Sequence, residues 1–164
     1  MDTPKRLYFP LNDETAPEAV VVHCSAPRFQ DAFQGFVKTE LKIAHYAPII
    51  IPGSVSSVSL DLAMPKRLKA LRDYVEFMVD QVPSRRIVII NHEDCRMYAS
   101  LSKFFRQIIP TQQILDLGKA AKLFSNWLPV LRQIELYMAK ISTNGQIAAS
   151  EATKKSVYFE KVVF

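Results

Sequence analysis

Glycine is scarce in this sequence, at 4 of 164 residues, and the chain contains no Gly-rich phosphate-binding loop. Long apolar runs are also missing, since none approaches the roughly 18 residues that cross a bilayer. The first 16 residues are polar, contain Pro4 and Pro10, and lack the apolar core of a secretion signal. We therefore expect a cytoplasmic protein without a membrane partner.

Acidic residues are in the minority, with 16 Asp and Glu against 21 Lys and Arg and a formal charge of +5. The basic residues are spread along the chain, as in the segment from Lys66 to Arg72, and no aromatic residues alternate with them in the pattern of an RNA-binding surface. A solvated helix face explains most of these charges, and we predict no nucleic-acid partner.

Cysteine is nearly absent, and the two that occur, Cys24 and Cys95, are far apart in sequence. A structural disulfide is rare in a cytosolic protein. Each cysteine is therefore expected to be a buried thiol, a nucleophile or a metal ligand. A serine hydrolase is not indicated, because no serine has a base at a recognisable spacing.

Apolar runs of strand length alternate with helical patterns along most of the chain. The predicted strands are residues 19–23, 48–51 and 86–90, and the predicted helices are residues 28–41, 65–82, 95–109 and 111–127. Asp94 is a plausible N-cap for the third helix. Two further strands, 134–142 and 157–163, flank the hairpin signal Asn144-Gly145.

This order predicts the α/β fold class, with a mostly parallel sheet of about four to five strands flanked by helices. We divide the chain into an N-terminal arm, residues 1–17, and a single α/β domain, residues 18–164.

Three side chains with affinity for metals follow predicted strands. Cys24 ends the first strand, His92 follows the third, and Cys95 begins the next helix three residues later. Ligand sites in open α/β sheets lie beyond the carboxyl ends of the strands. If the first and third strands are neighbours, the three side chains converge. Two thiolates and an imidazole suit zinc, and three protein ligands leave one coordination position open, as at catalytic zinc sites. The helix start would also favour the thiolate of Cys95.

The residues alone leave a second interpretation open. A histidine three residues before a cysteine is common by chance, and two buried thiols with a strand-end histidine would need no metal. A metal-free α/β binding module therefore stays a candidate at this point.

The motifs Cys24-Ser25-Ala26-Pro27-Arg28 and His92-Glu93-Asp94-Cys95 resemble those of the β-class carbonic anhydrases. That family carries Cys-x-Asp-x-Arg after the first strand and His-x-x-Cys after a later one. The resemblance covers roughly residues 18–150. It implies a β-carbonic-anhydrase-like fold, Zn²⁺ held by Cys24, His92 and Cys95, and assembly as a homodimer.

The sequence departs from the family pattern at positions that bear on catalysis. The aspartate of the first motif is Ala26, so Arg28 has lost its partner within the motif. The glycine that usually follows the second cysteine is Arg96, and the glycine-rich stretch after the second strand is reduced to Pro52-Gly53-Ser54. These changes put catalysis in doubt more than metal binding.

The resemblance thus implies one of two functions. The first is weak hydration of CO2 to bicarbonate through a zinc-bound hydroxide, with Arg28 orienting the anion as a catalytic residue. The alternative is a non-catalytic zinc protein of the same fold that binds an anion or a protein partner. The residues assigned to the surroundings of the metal or to anion binding are Arg96, Asp94, Gly53 and Ser54.

Overall fold

The computed structural model describes residues 7–11, 15–142 and 155–164. The strands are β1 (Val20–Cys24), β2 (Ala47–Ile51), β3 (Arg86–His92), β4 (Gln133–Ser142) and β5 (Ser156–Val162). The α-helices are α1 (Gln30–Thr39), α2 (Pro65–Asp80), α3 (Arg96–Leu101) and α4 (Ile109–Trp127). Short 3-10 turns cover Pro27–Phe29, Ser56–Ser59 and Ser102–Phe104.

The strands form one sheet in the order β2-β1-β3-β4-β5. The first four are parallel, and β5 runs antiparallel to β4. All five residues of β1 are buried because strands pair with both of its edges and helices cover both faces. The predicted fold class is confirmed, and β1 and β3 are neighbours, as convergence of the cysteines and histidine requires.

Alternation along β1 and β3 divides the core into two layers. Val20, Val22, Ile87 and Ile89 pack on the side of α2 and α4, while the residues between them pack against the aromatic face of α1. The second layer includes Phe29 and Phe33, both almost fully buried. The carboxyl ends of β1 and β3 are therefore held between two packed helical layers.

The helix predicted for residues 95–109 is wrong in its second half. Helix α3 ends at Leu101 and the 3-10 turn at Phe104, and Ile108 has an extended backbone. Pro110 occupies the first turn of α4, where its missing N–H costs nothing, and it restricts the residues before it. Phe104 and Ile108 are exposed.

The two C-terminal strands pair as predicted, with Ala139 opposite Phe159. The predicted turn at Asn144-Gly145 lies outside the described residues. In the part of the chain that the structure describes, no helix has the length and apolar character needed to span a membrane.

Candidate metal centre

The three predicted ligands meet at the carboxyl edge of the sheet. Cys24 and His92 are the last residues of β1 and β3, and Cys95 immediately precedes α3. The two sulfurs and a ring nitrogen of His92 all lie within 4.8 Å of one another. All three residues are buried, with 5% or less of their surface exposed. This group, which we call the ligand triad, could hold one metal ion.

The imidazole of His92 is oriented by its own loop. Its Nδ1 lies 2.7 Å from the carbonyl oxygen of Glu93. A carbonyl oxygen only accepts hydrogen bonds, so Nδ1 carries the proton and Nε2 keeps a free lone pair. The Phe29 ring packs 4.2 Å from the imidazole, centroid to centroid. Nε2 is buried and has no hydrogen-bond partner among the described residues, which is unusual unless it binds something else.

The two cysteines are free thiols with their sulfur atoms 3.8 Å apart. The pKa of Cys24 is lowered, first because Cys95 donates a hydrogen bond to its sulfur, and His92 and the Gly53 amide act in the same direction. The same hydrogen bond raises the pKa of Cys95. The two thiols therefore ionise in sequence rather than together, because a negative charge on one sulfur opposes ionisation of the other.

Gly53 has a structural reason to be glycine. Its N–H donates to the sulfur of Cys24 at 3.2 Å, and its φ is +77°. A Cβ at this position would lie 2.6 Å from both Cγ of Met97 and Oγ of Ser56. Gly53 therefore contacts the ligand triad through its backbone. Ser54 follows, also at positive φ, with its hydroxyl buried.

Arg28 has a carboxylate partner from the other motif. Its guanidinium forms an ion pair with Asp94, and Nη2 also lies 3.3 Å from the Asp94 carbonyl oxygen. The face of Phe29 packs 5.2 Å from the guanidinium carbon. Because Arg28 is beside it, the pKa of Asp94 is lowered. The side chains are 52% and 68% exposed, so the ion pair itself adds little stability.

The N-cap predicted at Asp94 is wrong. Cys95 occupies the N-cap position of α3, and no side chain caps the helix there. Asp94 instead has a φ of +57°, a conformation that aspartate tolerates better than most residues. This conformation accompanies the contact between the Asp94 carboxylate and Arg28.

An open cleft of about 650 Å³, which we call the metal cleft, is lined by Cys24 and Cys95 of the ligand triad. Its wall includes the methyl group of Ala26 and the charged side chains of Arg28, Asp94 and Arg96. Arg96 is exposed at the start of α3. Two cations against one carboxylate give this wall a net positive charge, which favours small anions.

A buried polar network supports the second motif from behind. The Nδ2 of Asn91 donates to the Gln113 carbonyl oxygen and to the Tyr98 hydroxyl, which donates to Asp116 at 2.8 Å. Gln113 in turn donates to the carbonyl oxygen of His92 at 2.6 Å. Burial raises the pKa of Tyr98 and of Asp116. We call these four residues the Asn91 network; they tie both ends of the His-x-x-Cys loop to α4.

The sequence did not indicate Gln30, Gln113 or Asp116 as supporting residues. Gln30 donates to the carbonyl oxygens of Cys24 and Ala26, each at 2.9 Å, and so fixes the first-motif turn. Glu93 accepts from the Ile141 amide and ties the second-motif loop to β4. A polar residue inside the apolar stripe of α4, such as Asp116, was the available signal for a buried network. Nothing local to Gln30 or Glu93 indicated their partners.

The parallel sheet and the Cys-His-Cys group at its carboxyl edge define an α/β protein with a candidate metal site. Comparison with known families then places it: residues 15–149 match the family described as "Putative carbonic anhydrase". The chain belongs to this carbonic anhydrase family, and the resemblance seen in the two motifs is confirmed.

Two further comparisons were made. A crystal structure of β-carbonic anhydrase isoform I from the protozoan Trichomonas vaginalis is similar over 92% of this chain and 87% of that chain, with 12% sequence identity and a TM-score of 0.46. No curated protein sequence matches significantly.

Proposed function

We propose that this protein is a zinc-binding, carbonic-anhydrase-like protein that hydrates CO2 to bicarbonate weakly. The observation that carries the proposal is the ligand triad: two buried thiols and an imidazole nitrogen with no partner converge below a cleft with a positively charged wall. Family membership adds support for a metal cofactor and for CO2 or bicarbonate as the substrate.

The geometry of the triad fits zinc. Tetrahedral zinc with Zn–S bonds of about 2.3 Å holds two thiolate sulfurs about 3.8 Å apart. The sulfurs of Cys24 and Cys95 are 3.8 Å apart before any adjustment. His92 presents the neutral nitrogen that a metal requires, and its other nitrogen is bonded to a backbone carbonyl in the way typical of zinc-bound histidines.

Zinc with an open fourth position supplies a water whose pKa is near 7. The side chains of this protein would bind and orient the substrate around that position. Arg28 and Arg96 would attract and orient bicarbonate at the cleft wall. Asp94 and the Phe29 ring hold the Arg28 guanidinium from two sides. The pocket behind His92 is apolar and aromatic, which keeps water away from the imidazole.

The reason to expect weak activity is Ala26. A methyl group cannot accept a hydrogen bond, so position 26 cannot orient a water or hydroxide for attack. Asp94 replaces the missing partner of Arg28 but is directed toward the guanidinium at the exposed edge of the cleft. Ala26 also favours the second candidate, a non-catalytic zinc protein that binds an anion or a protein partner.

Two measurements test the proposal. Elemental analysis of protein purified without added zinc should find about one zinc per chain; a folded protein with both thiols free and no metal would contradict metal binding. Stopped-flow CO2 hydration, with zinc-matched protein, separates the weak enzyme from the non-catalytic protein. Hydration no faster than the buffer blank would favour the second candidate. The cytoplasmic location and the assembly as a homodimer stay predictions. Measuring the molar mass in solution tests the assembly.

A further inference from the structure

A second cavity adjoins the metal cleft, and Pro52 and Met97 line both. Its volume is about 240 Å³. We call it the serine pocket, because Ser54, Ser56 and Ser57 contribute to its wall together with Arg67, Leu71 and Met97. Sites for drug-sized ligands typically measure about 300–1,000 Å³, so this cavity suits a smaller molecule.

The wall of the serine pocket includes a hydroxyl group without a protein partner. Ser54, Ser56 and Ser57 are 2%, 4% and 6% exposed. The hydroxyl oxygen of Ser54 is fully enclosed and has no hydrogen-bond partner among the described residues. Since a buried hydroxyl is normally hydrogen-bonded, the unpaired hydroxyl of Ser54 beside this cavity points to a polar ligand group.

The charge of the cavity wall indicates the sign of the charge on the ligand group. Arg67 is the charged residue among the described residues that line the cavity, and its Nη1 lies 3.7 Å from Sδ of Met97. The guanidinium thus lies beside the wall that separates the serine pocket from the metal cleft. Leu71, from the same helix, and Met97 supply an apolar surface.

We propose that the serine pocket binds a small aliphatic monocarboxylate. The carboxylate would accept hydrogen bonds from the seryl hydroxyls and from Arg67, and a short alkyl tail would lie against Leu71 and Met97. Guanidinium and hydroxyl donors match a carboxylate, and an apolar wall of this size matches a tail of a few carbons. This site is separate from the ligand triad and does not depend on the proposed function.

Butyrate is the probe, and n-butanol is the matched neutral molecule with the same tail. Binding is followed by backbone amide NMR of the full chain, with one preparation of known metal content used throughout. We expect saturable butyrate shifts at the amides of residues 54–57 and no saturable shift with butanol. Arg67→Met should weaken butyrate at least tenfold, because one charged hydrogen-bonding partner is lost. Lys66→Met, which removes the same charge outside the pocket, should change binding less than twofold.

A second variant keeps the pocket charge and removes its space. Ala70→Leu places a larger side chain in the cavity wall and should abolish the shifts at residues 54–57 while the fold persists. A carboxylate bound at the ligand triad instead would shift the amides of Cys24 and Arg96 and would be indifferent to Arg67→Met. The proposal would be overturned by butyrate binding at the ligand triad, by equal binding of butanol, or by the absence of saturable binding.

Discussion

The inner and outer parts of the candidate metal site are built differently. The ligand triad is buried, its histidine tautomer is set by a backbone carbonyl, and the Asn91 network lies behind it. The rim, which we define as Ala26, Arg28 and Asp94, is more exposed, and its two charged side chains are held by contacts with each other and with the Phe29 ring. A site built in this way keeps the ligand triad in place while its outer residues can change at small cost in stability. Metal binding and catalysis should therefore respond separately to mutation.

The largest expected effect comes from removing one member of the triad. In Cys95→Ser the zinc content should fall from about one per chain to a small fraction, because serine is a poor zinc ligand. Loss of a ligand present at a thousand times its Kd costs about 4 kcal/mol of stability. Elemental analysis and thermal unfolding measure both quantities. Ser100→Ala, in the wall of the same cleft, should change neither. Full zinc content in Cys95→Ser would show that Cys95 is not a ligand.

The second-largest effect is expected from a substitution in the rim, at Ala26. Ala26→Asp should raise kcat/KM for CO2 hydration on the order of 10²-fold, because a positioned carboxylate can accept the proton of the attacking group. The new carboxylate would also compete with Asp94 for Arg28.

The control for this variant is Ala26→Asn, which adds similar volume without a charge and should gain much less. Stopped-flow assays across pH, at matched zinc content, measure the difference. A natural protein that already reaches high efficiency would show that Ala26 does not limit the site. Lower activity in Ala26→Asp would indicate that the carboxylate binds the metal itself.

Asp94→Asn tests whether the cross-motif ion pair positions Arg28. The expected result is a loss of about tenfold in kcat/KM, the equivalent of one charged hydrogen bond, with unchanged zinc content. Its stability should change by less than about 1 kcal/mol because the pair is exposed.

Asp73→Asn is the matched control, since Asp73 also forms an exposed ion pair, with Lys69 on α2. It should leave kcat/KM unchanged. Equal rates in Asp94→Asn and the natural protein would remove Asp94 from the mechanism, and zinc loss in Asp94→Asn would place its effect on the ligand loop instead.

The smallest expected effect concerns the Asn91 network. The pKa of Asp116 is raised by burial, and its hydrogen bonds with Ser59, Tyr98 and Gln112 offset part of that shift. A carboxyl whose folded-state pKa is raised stabilises the fold most when protonated, and this contribution is lost as pH rises through the folded-state pKa.

The free energy of unfolding of the natural protein should therefore fall relative to that of Asp116→Asn as pH rises from about 3 through the acid range. Chemical denaturation at several pH values measures this difference, in which other titrating groups cancel. A difference that is flat with pH, or that grows in favour of the natural protein, would mean that Asp116 is not held near its neutral form.

Much of the site could be predicted from the sequence because its signals are local. Short β-branched runs followed by helical patterns indicate parallel strands, and the carboxyl ends of such strands share one edge. The positions of Cys24, His92 and Cys95 at those ends were therefore enough to predict that they meet. Only the adjacency of β1 and β3 was an assumption, and it is confirmed.

The tertiary structure decided the contacts between residues far apart in sequence. Arg28 pairs with Asp94 across 66 positions, and the Ser59 and Asp116 side chains meet across 57. Local patterns favoured a helix cap at Asp94 and one helix over residues 95–109. The folded chain has neither, because of the contact between Arg28 and Asp94 and because of Pro110. The sequence by itself determined the strands, their ends and the ligand types, since these depend on neighbouring residues. Partners, exposure and the serine pocket depend on packing among distant segments, which only the fold brings together.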